Sequence, residues 1–62
     1  MLGKGERAIC EDLLKTGKVV TQSTYICEGI SIEYFCVESG GWLYDMTKHD
    51  GEWVYFHRGG LA

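Results

Sequence analysis

The stretch GGWLYDMTKHDGEWVYFHRGG, residues 40–60, predicts a β-hairpin and raises the question of where its aromatic side chains lie. It holds two Trp, two Tyr, one Phe and one Met within 21 positions. Asp50-Gly51 separates two runs rich in β-branched and aromatic residues, and this dipeptide favours a type I′ turn because both central positions need positive φ. We therefore predict strands at about 42–48 and 52–58.

The residues before this hairpin predict two more strands and a helix. Residues 18–27 and 30–38 have strand composition and are separated by Glu28-Gly29. Residues 5–16 have apolar side chains at helical spacing, with Cys10 and Leu14 four apart, and Gly17 is expected to end the helix in a left-handed conformation. The predicted fold class is α+β: an N-terminal helix packed on a four-stranded antiparallel β-meander, in a single small domain spanning 1–62.

Turn lengths predict which side chains share a face of the sheet. A two-residue turn at Asp50-Gly51 and a three-residue loop at 39–41 place one aromatic, thiol-bearing set on one face, because side chains alternate along a strand. That set is Tyr25, Cys27, Ile30, Ile32, Tyr34, Cys36, Trp42, Tyr44, Met46, Trp53, Tyr55 and His57. The opposite face is expected to hold Ile26, Phe35, Val37, Leu43, Asp45, Val54, Phe56 and Arg58. A one-residue change in the middle loop would exchange half of these assignments.

Both predicted faces are apolar, and one helix covers only one face of a sheet. Large exposed apolar patches are rare on soluble monomers, and Trp, Tyr and Met are enriched where proteins meet. We therefore predict a partner-binding surface with four aromatic anchors and an acidic rim. The anchors are Trp42, Tyr44, Trp53 and Tyr55, and the rim is Asp45, Asp50 and Glu52.

Composition restricts the possible classes of function. The chain has 62 residues and a formal net charge of −3, which argues against a general phosphate-binding surface. Its three Cys are odd in number, and no signal peptide follows Met1, so free thiols and a cytoplasmic location are expected. No apolar run approaches the roughly 20 residues of a membrane span. The chain reads as complete, with no linker or repeat.

Catalytic and metal sites are not predicted. The Cys and His residues lack the C-x₂₋₄-C and H-x₃₋₅-H spacings that grip zinc. On the predicted register Cys36, Tyr44 and His57 form a row across the sheet, an arrangement that any Cys- and His-bearing sheet can produce. We therefore expect no enzyme activity, no cofactor and no metal.

Single-stranded nucleic acid is an alternative ligand for an aromatic sheet face, since bases stack on exposed rings beside a cationic groove. The nearby cations Lys48 and Arg58 are offset by Glu33, Asp45 and Asp50. Direct nucleic-acid binding is accordingly disfavoured.

Two resemblances bear on function. The motif GWLY…DGEWVYFHRGGLA resembles one cell-wall choline-binding repeat, but it covers a third of the chain and occurs once, so no ligand residues are carried over. In kind, a small acidic cytoplasmic chain with a large aromatic surface resembles the inhibitors that phages make against host machinery, including anti-CRISPR and anti-restriction proteins. The predicted function is a non-catalytic protein-binding module that sterically blocks a basic surface of nucleic-acid-processing machinery. The alternative is a homodimer that uses the same face for self-association.

Overall fold

A computed structural model describes all residues, Met1–Ala62. One helix, α1 (Lys4–Thr16), precedes four strands, β1 (Lys18–Cys27), β2 (Ile30–Ser39), β3 (Trp42–His49) and β4 (Glu52–Leu61). The strands form one open antiparallel sheet in the order β1-β2-β3-β4. The predicted α+β meander is confirmed. Its last strand continues three residues beyond the predicted end, to Leu61.

Helix α1 is amphipathic and buries Cys10 and Leu13 against the sheet. At 13 residues it is not long and apolar enough to cross a membrane. The prediction for Gly17 was wrong: its φ of −86° and ψ of 177° are extended, not left-handed. A Cβ at Gly17 would lie 2.5 Å from Val37 Cγ1 and 2.8 Å from the Leu13 carbonyl oxygen. Glycine is therefore required there for close packing of the helix end on β2.

All three strand connections are two-residue turns in which both central residues have positive φ. The φ values are 52° and 80° at Glu28-Gly29, 60° and 82° at Gly40-Gly41, and 52° and 83° at Asp50-Gly51. Such turns match the right-handed twist of paired strands. The middle connection corrects the predicted three-residue loop, because Ser39 pairs with Trp42 and leaves only Gly40-Gly41 in the turn.

A second register difference lies in β4. Lys48 pairs with Trp53, as the predicted two-residue turn at Asp50-Gly51 requires. Thr47 then pairs with Tyr55, so an irregularity at Val54 shifts the strand by one residue. Each shift exchanges the two faces. Tyr55 and His57 follow both shifts, which cancel, so they share a face with the β1 and β2 residues predicted to lie beside them. Strand β3 and Trp53 follow only the first shift. Trp42, Tyr44, Met46 and Trp53 therefore lie on the opposite face, with Phe35, Val37, Phe56 and Arg58.

The hydrophobic core lies between α1 and this second set of side chains. Its buried members are Cys10, Leu13, Phe35, Val37, Met46 and Trp53, and Leu2, Leu14, Tyr44 and Phe56 pack around them. The Phe35 and Trp53 rings are 5.6 Å apart and tilted, and Tyr44 stacks on Phe56 at 5.8 Å. The helix therefore covers only one face of the sheet, as its single copy requires, and we call the other the open face.

Candidate interaction surface

The open face carries a contiguous row of apolar and aromatic side chains that no helix or strand covers. Its most exposed large members are Tyr25 (49%), Ile30 (42%), Tyr34 (46%) and Tyr55 (46%). Strand pairing brings Tyr25 beside Ile32, which is half-buried. Cys27, Cys36, Leu43 and Thr47 lie on the same face by alternation. This surface joins all four strands.

Thr47 lies at the middle of the open face and is only 6% exposed. Its cross-strand neighbours are Tyr34 on β2 and Tyr55 on β4. Opposed residues on one face lie about 4.5–5.5 Å apart, so the two tyrosines flank the threonine and shield it from water. The centre of the open face is consequently a pair of tyrosine side chains with a small polar residue between them.

A second cross-strand row contains Cys36, Asp45 and His57. Cys36 pairs with Asp45, and Asp45 pairs with His57. This row replaces the predicted Cys36–Tyr44–His57 row, since Tyr44 lies on the helix-covered face. Burial raises the pKa of the Cys36 thiol, and the Asp45 carboxylate raises it further through its charge and a hydrogen bond. Cys36 is therefore a protonated thiol rather than an activated nucleophile, since only the thiolate is nucleophilic.

Charge is distributed unequally between the two sides of the molecule. Of the six cationic side chains, only Lys18 lies on the open face, at a corner beside Glu38. The others belong to α1 or to the helix-covered face: Lys4, Arg7, Lys15, Lys48 and Arg58. The open face also holds Asp45, and Glu28 and Asp50 occupy adjoining turns. Its charged groups are thus predominantly acidic.

Of the four predicted aromatic anchors, Tyr55 alone lies on the open face. Trp53 is 3% exposed, and its Nε1 donates a 2.8 Å hydrogen bond to Glu11 Oε2. The Lys48 ammonium lies 3.7 Å from the same carboxylate and 4.7 Å from the Trp53 ring centroid. Trp53 is therefore a core residue fastened to α1. Glu11 binds Trp53 and Lys48 instead of forming the helical ion pair with Lys15 that the four-residue spacing of Glu11 and Lys15 favours.

Trp42 and Tyr44 lie at the margin of the helix-covered face and are half-buried. The Arg58 guanidinium lies 4.1 Å from the centroid of the Trp42 ring, a cation–π contact that covers one side of the indole. Tyr44 is occupied by its stacking on Phe56. The structure separates both side chains from Tyr55, so the predicted group of four is not one surface.

The three predicted acidic residues also occupy different settings. Asp45 is half-buried on the open face, between Cys36 and His57. Asp50 is part of the β3–β4 turn, where its N–H donates a 2.8 Å hydrogen bond to the Ser31 carbonyl oxygen. Glu52 is exposed and begins β4 opposite His49. Asp45 belongs to the open face, and Asp50 and Glu52 lie at one end of it.

The sequence prediction omitted four apolar or aromatic residues of the open face from its site: Tyr25, Ile30, Ile32 and Tyr34. Their signal was present in the alternation of apolar residues along 25–36, which placed them on one face with Tyr55. The predicted anchors lie in the aromatic-rich hairpin instead. The two-residue turn at 40–41 places three of them on the helix-covered face, and the bulge in β4 returns only Tyr55 to the open face.

The groove beside α1 and the three free thiols do not form a defined binding or catalytic site. A groove of about 510 Å³ between α1 and the β3–β4 turn is lined by Lys4, Arg7, Ala8, Glu11, Gly51, Glu52 and Trp53, whose charges are mixed in sign. The free thiols are dispersed: Cys10 is buried on the sheet-facing side of α1, and Cys27 is exposed beside the first turn. No three His, Cys, Asp or Glu side chains are grouped so as to hold a metal ion.

In comparisons with known proteins, no protein-family model, no curated protein and no solved structure matches this chain.

Proposed function

We propose that this chain is a non-catalytic protein-binding module whose open face docks on a partner protein. The observation that carries the proposal is the exposure of Tyr25, Ile30, Tyr34 and Tyr55 together, at 42–49% each, on a face that the helix does not cover. Tyrosine suits such a surface because it offers a large apolar ring, a polar hydroxyl and few rotatable bonds. Tyr34 and Tyr55 are the expected central anchors.

Charge defines the kind of partner. Asp45 lies within the open face and Glu28, Asp50 and Glu52 lie at its ends, while Lys18 is its only cation. Complementary potentials speed association and fix register at protein interfaces. The matching partner surface is therefore apolar at its centre with Lys or Arg around it. A small protein bound to such a surface blocks the binding of any substrate that uses the same surface. Nucleic-acid-processing proteins have basic surfaces of this kind.

Nucleic acid is the less suitable ligand for the open face. Base stacking on aromatic rings needs neighbouring cations to hold the phosphates. Here Lys48 and Arg58 lie on the helix-covered face, where each contacts an indole ring. A strand on the open face would meet Asp45 and Glu38 instead.

The test is affinity capture from a lysate of the producing organism with matched baits. The double variant Tyr34→Ser, Tyr55→Ser removes the two central rings of the open face. Ile9→Ser is the control, because Ile9 is similarly exposed at 47% but lies on α1. We expect a protein captured by the wild type and by Ile9→Ser, lost with the double variant, and weakened by added salt.

Equal capture by all three baits would overturn the proposal, provided that circular dichroism shows each variant folded. A fluorescent oligonucleotide titrated at about 50 mM salt separates the nucleic-acid alternative, since electrostatic binding is strongest at low salt. Tight binding of the oligonucleotide by the wild type, lost with the double variant, would also contradict a protein-binding role. Face-to-face self-association, the remaining alternative, would appear as a dimer by light scattering that the double variant abolishes.

A further inference from the structure

The two edges of the sheet differ in how they are protected. All ten residues of β1, Lys18–Cys27, are exposed, and β1 pairs only with β2. Its exposed apolar side chains include Val19 (41%), Val20 (52%) and Ile26 (68%). The strand carries one charge, Lys18 at its first position, and no Pro. A long edge strand with unpaired backbone groups and few charges is a template for another strand.

The opposite edge strand, β4, has the features that prevent such pairing. The Leu2 N–H donates a 3.1 Å hydrogen bond to the Trp53 carbonyl oxygen, so the N-terminal segment occupies part of that edge. The irregularity at Val54 interrupts the strand, and Glu52, His57 and Arg58 place charged or polar groups along it. Bulges, charges and covering segments are how proteins protect edges. The contrast singles out β1.

The first turn fixes which backbone groups of β1 face outward. Cys27 and Ile30 flank a two-residue turn and form a hydrogen-bonded pair with each other. Alternate residues of β1 share this inward direction, so the N–H and C=O groups of Gln22, Thr24 and Ile26 point away from β2. The register irregularity lies between Val19 and Thr21, outside this segment. The segment 21–27 therefore presents a regular, unpaired edge.

We propose that β1 pairs antiparallel with β1 of a second copy about a two-fold axis through Ser23. In this register the outward groups of Gln22 meet those of Thr24 of the second copy, as ladder bonds require. Thr21 then lies opposite Tyr25 of the second copy on the open face. Because the irregularity at Val20 adds one residue to the strand, Val19 lies opposite Ile26 of the second copy on the helix-covered side. The two irregularities at Val20 lie toward opposite ends of the pair.

The strand is self-complementary in this arrangement, so a second copy of the chain fits this edge. Its apolar residues are at both ends, so antiparallel pairing places Val19 of each copy against Ile26 of the other. The two Lys18 ammonium groups lie at opposite ends of the ribbon, about 30 Å apart at 3.3 Å per residue. The result is one eight-stranded sheet on which two open faces are continuous, doubling the surface available to a partner.

Disulfide trapping tests the register. In a Cys27→Ser, Cys36→Ser background, Ser23→Cys places one thiol of each copy beside the two-fold axis. The two residues at this position face each other as a pair that is not hydrogen-bonded, with Cα atoms about 4.5 Å apart. Such a pair meets disulfide geometry. Thr24→Cys is the matched control, since the two copies of this residue are diagonal neighbours about 7–8 Å apart. We expect at least a tenfold faster formation of covalent dimer with Ser23→Cys than with Thr24→Cys.

Sedimentation velocity without cross-linking supplies the second measurement. Thr24→Pro removes an outward N–H while leaving the β1–β2 hydrogen bonds in place, and edge strands tolerate such a proline. We expect the wild type and Thr24→Ala to be dimers at about 100 μM and Thr24→Pro to be a folded monomer. A wild-type monomer at that concentration, or equal cross-linking of the two cysteine variants, would overturn the proposal. The open-face variant Tyr34→Ser, Tyr55→Ser should remain dimeric, so edge pairing and partner binding fail separately.

Discussion

At the scale of single residues, Trp53 and Tyr55 lie two positions apart on β4 and have opposite roles. Trp53 packs against Phe35 and donates to Glu11, whereas Tyr55 is 46% exposed on the open face. We expect Trp53→Ala to reduce the free energy of unfolding by roughly 3–5 kcal/mol, as for other large-to-small core changes. Tyr55→Ala should cost about 1 kcal/mol or less. Urea denaturation of the two variants measures the difference, and equal losses would contradict the assignment of faces.

Gly17 is constrained by space and not by its backbone angles. A Cβ there would approach Val37 Cγ1 to 2.5 Å and the Glu38 carbonyl oxygen to 3.0 Å. We expect Gly17→Ala to destabilise the fold by about 1–3 kcal/mol, the usual cost of overpacking. Gly5→Ala is the control, since nothing beyond the local backbone of its own helix lies within 4 Å of its Cβ position in the first helical turn. That change should stabilise by about 0.5–1 kcal/mol, and thermal unfolding of both variants checks the opposite signs.

The buried thiol of Cys10 makes stability depend on pH in the alkaline range. Burial, together with the charges of Glu11 and Glu6, raises the pKa of Cys10 from 9.0 to about 11. The folded state therefore holds the proton more tightly than the unfolded state. This contribution is complete below pH 9 and is lost as pH rises toward about 11. Urea unfolding at pH 8 and pH 10.5 should show a fall in stability that is smaller in Cys10→Ala than in the wild type.

At the scale of elements, the turns carried enough local information for the fold to be predicted. Glu28-Gly29 and Asp50-Gly51 fixed two hairpins, because positive φ at two consecutive positions has few sequence solutions. Strand composition and the helical spacing of Cys10 and Leu14 supplied the rest. Ser39-Gly40-Gly41 was ambiguous, since two glycines allow either loop length. The bulge at Val54 had no local signal, because it results from packing Trp53 under the helix while Tyr55 stays outside.

The middle turn provides a prediction at this scale. Gly41 has a φ of 82° and Gly40 a φ of 60°, both in the left-handed region. Asn tolerates that region better than other residues with a Cβ, so Gly40→Asn should be nearly neutral. Gly41→Ala should cost roughly 1–2 kcal/mol, the penalty for a left-handed L-residue. Measured midpoints that rank the two variants in the reverse order would contradict a two-residue type I′ turn.

At the scale of the whole molecule, the number of sheet faces that the helix can cover does not depend on the strand register. One helix of 13 residues covers one face of the sheet, and the other is left with exposed tyrosines whichever residues they prove to be. The sequence therefore predicted that an apolar face stays open but placed three of its four anchors on the wrong side. The one-residue difference in the 40–41 turn accounts for that error, and the shift at Val54 returns Tyr55 to the predicted face.

The central claim is that the open face is free and that the indole of Trp53 is not. Laser photo-CIDNP with a flavin dye measures it directly, since only Tyr, Trp and His side chains that the dye can touch become polarised. We expect strong signals from Tyr25, Tyr34 and Tyr55 and none from Trp53. Polarised Trp53 with silent Tyr34 and Tyr55 would contradict the account.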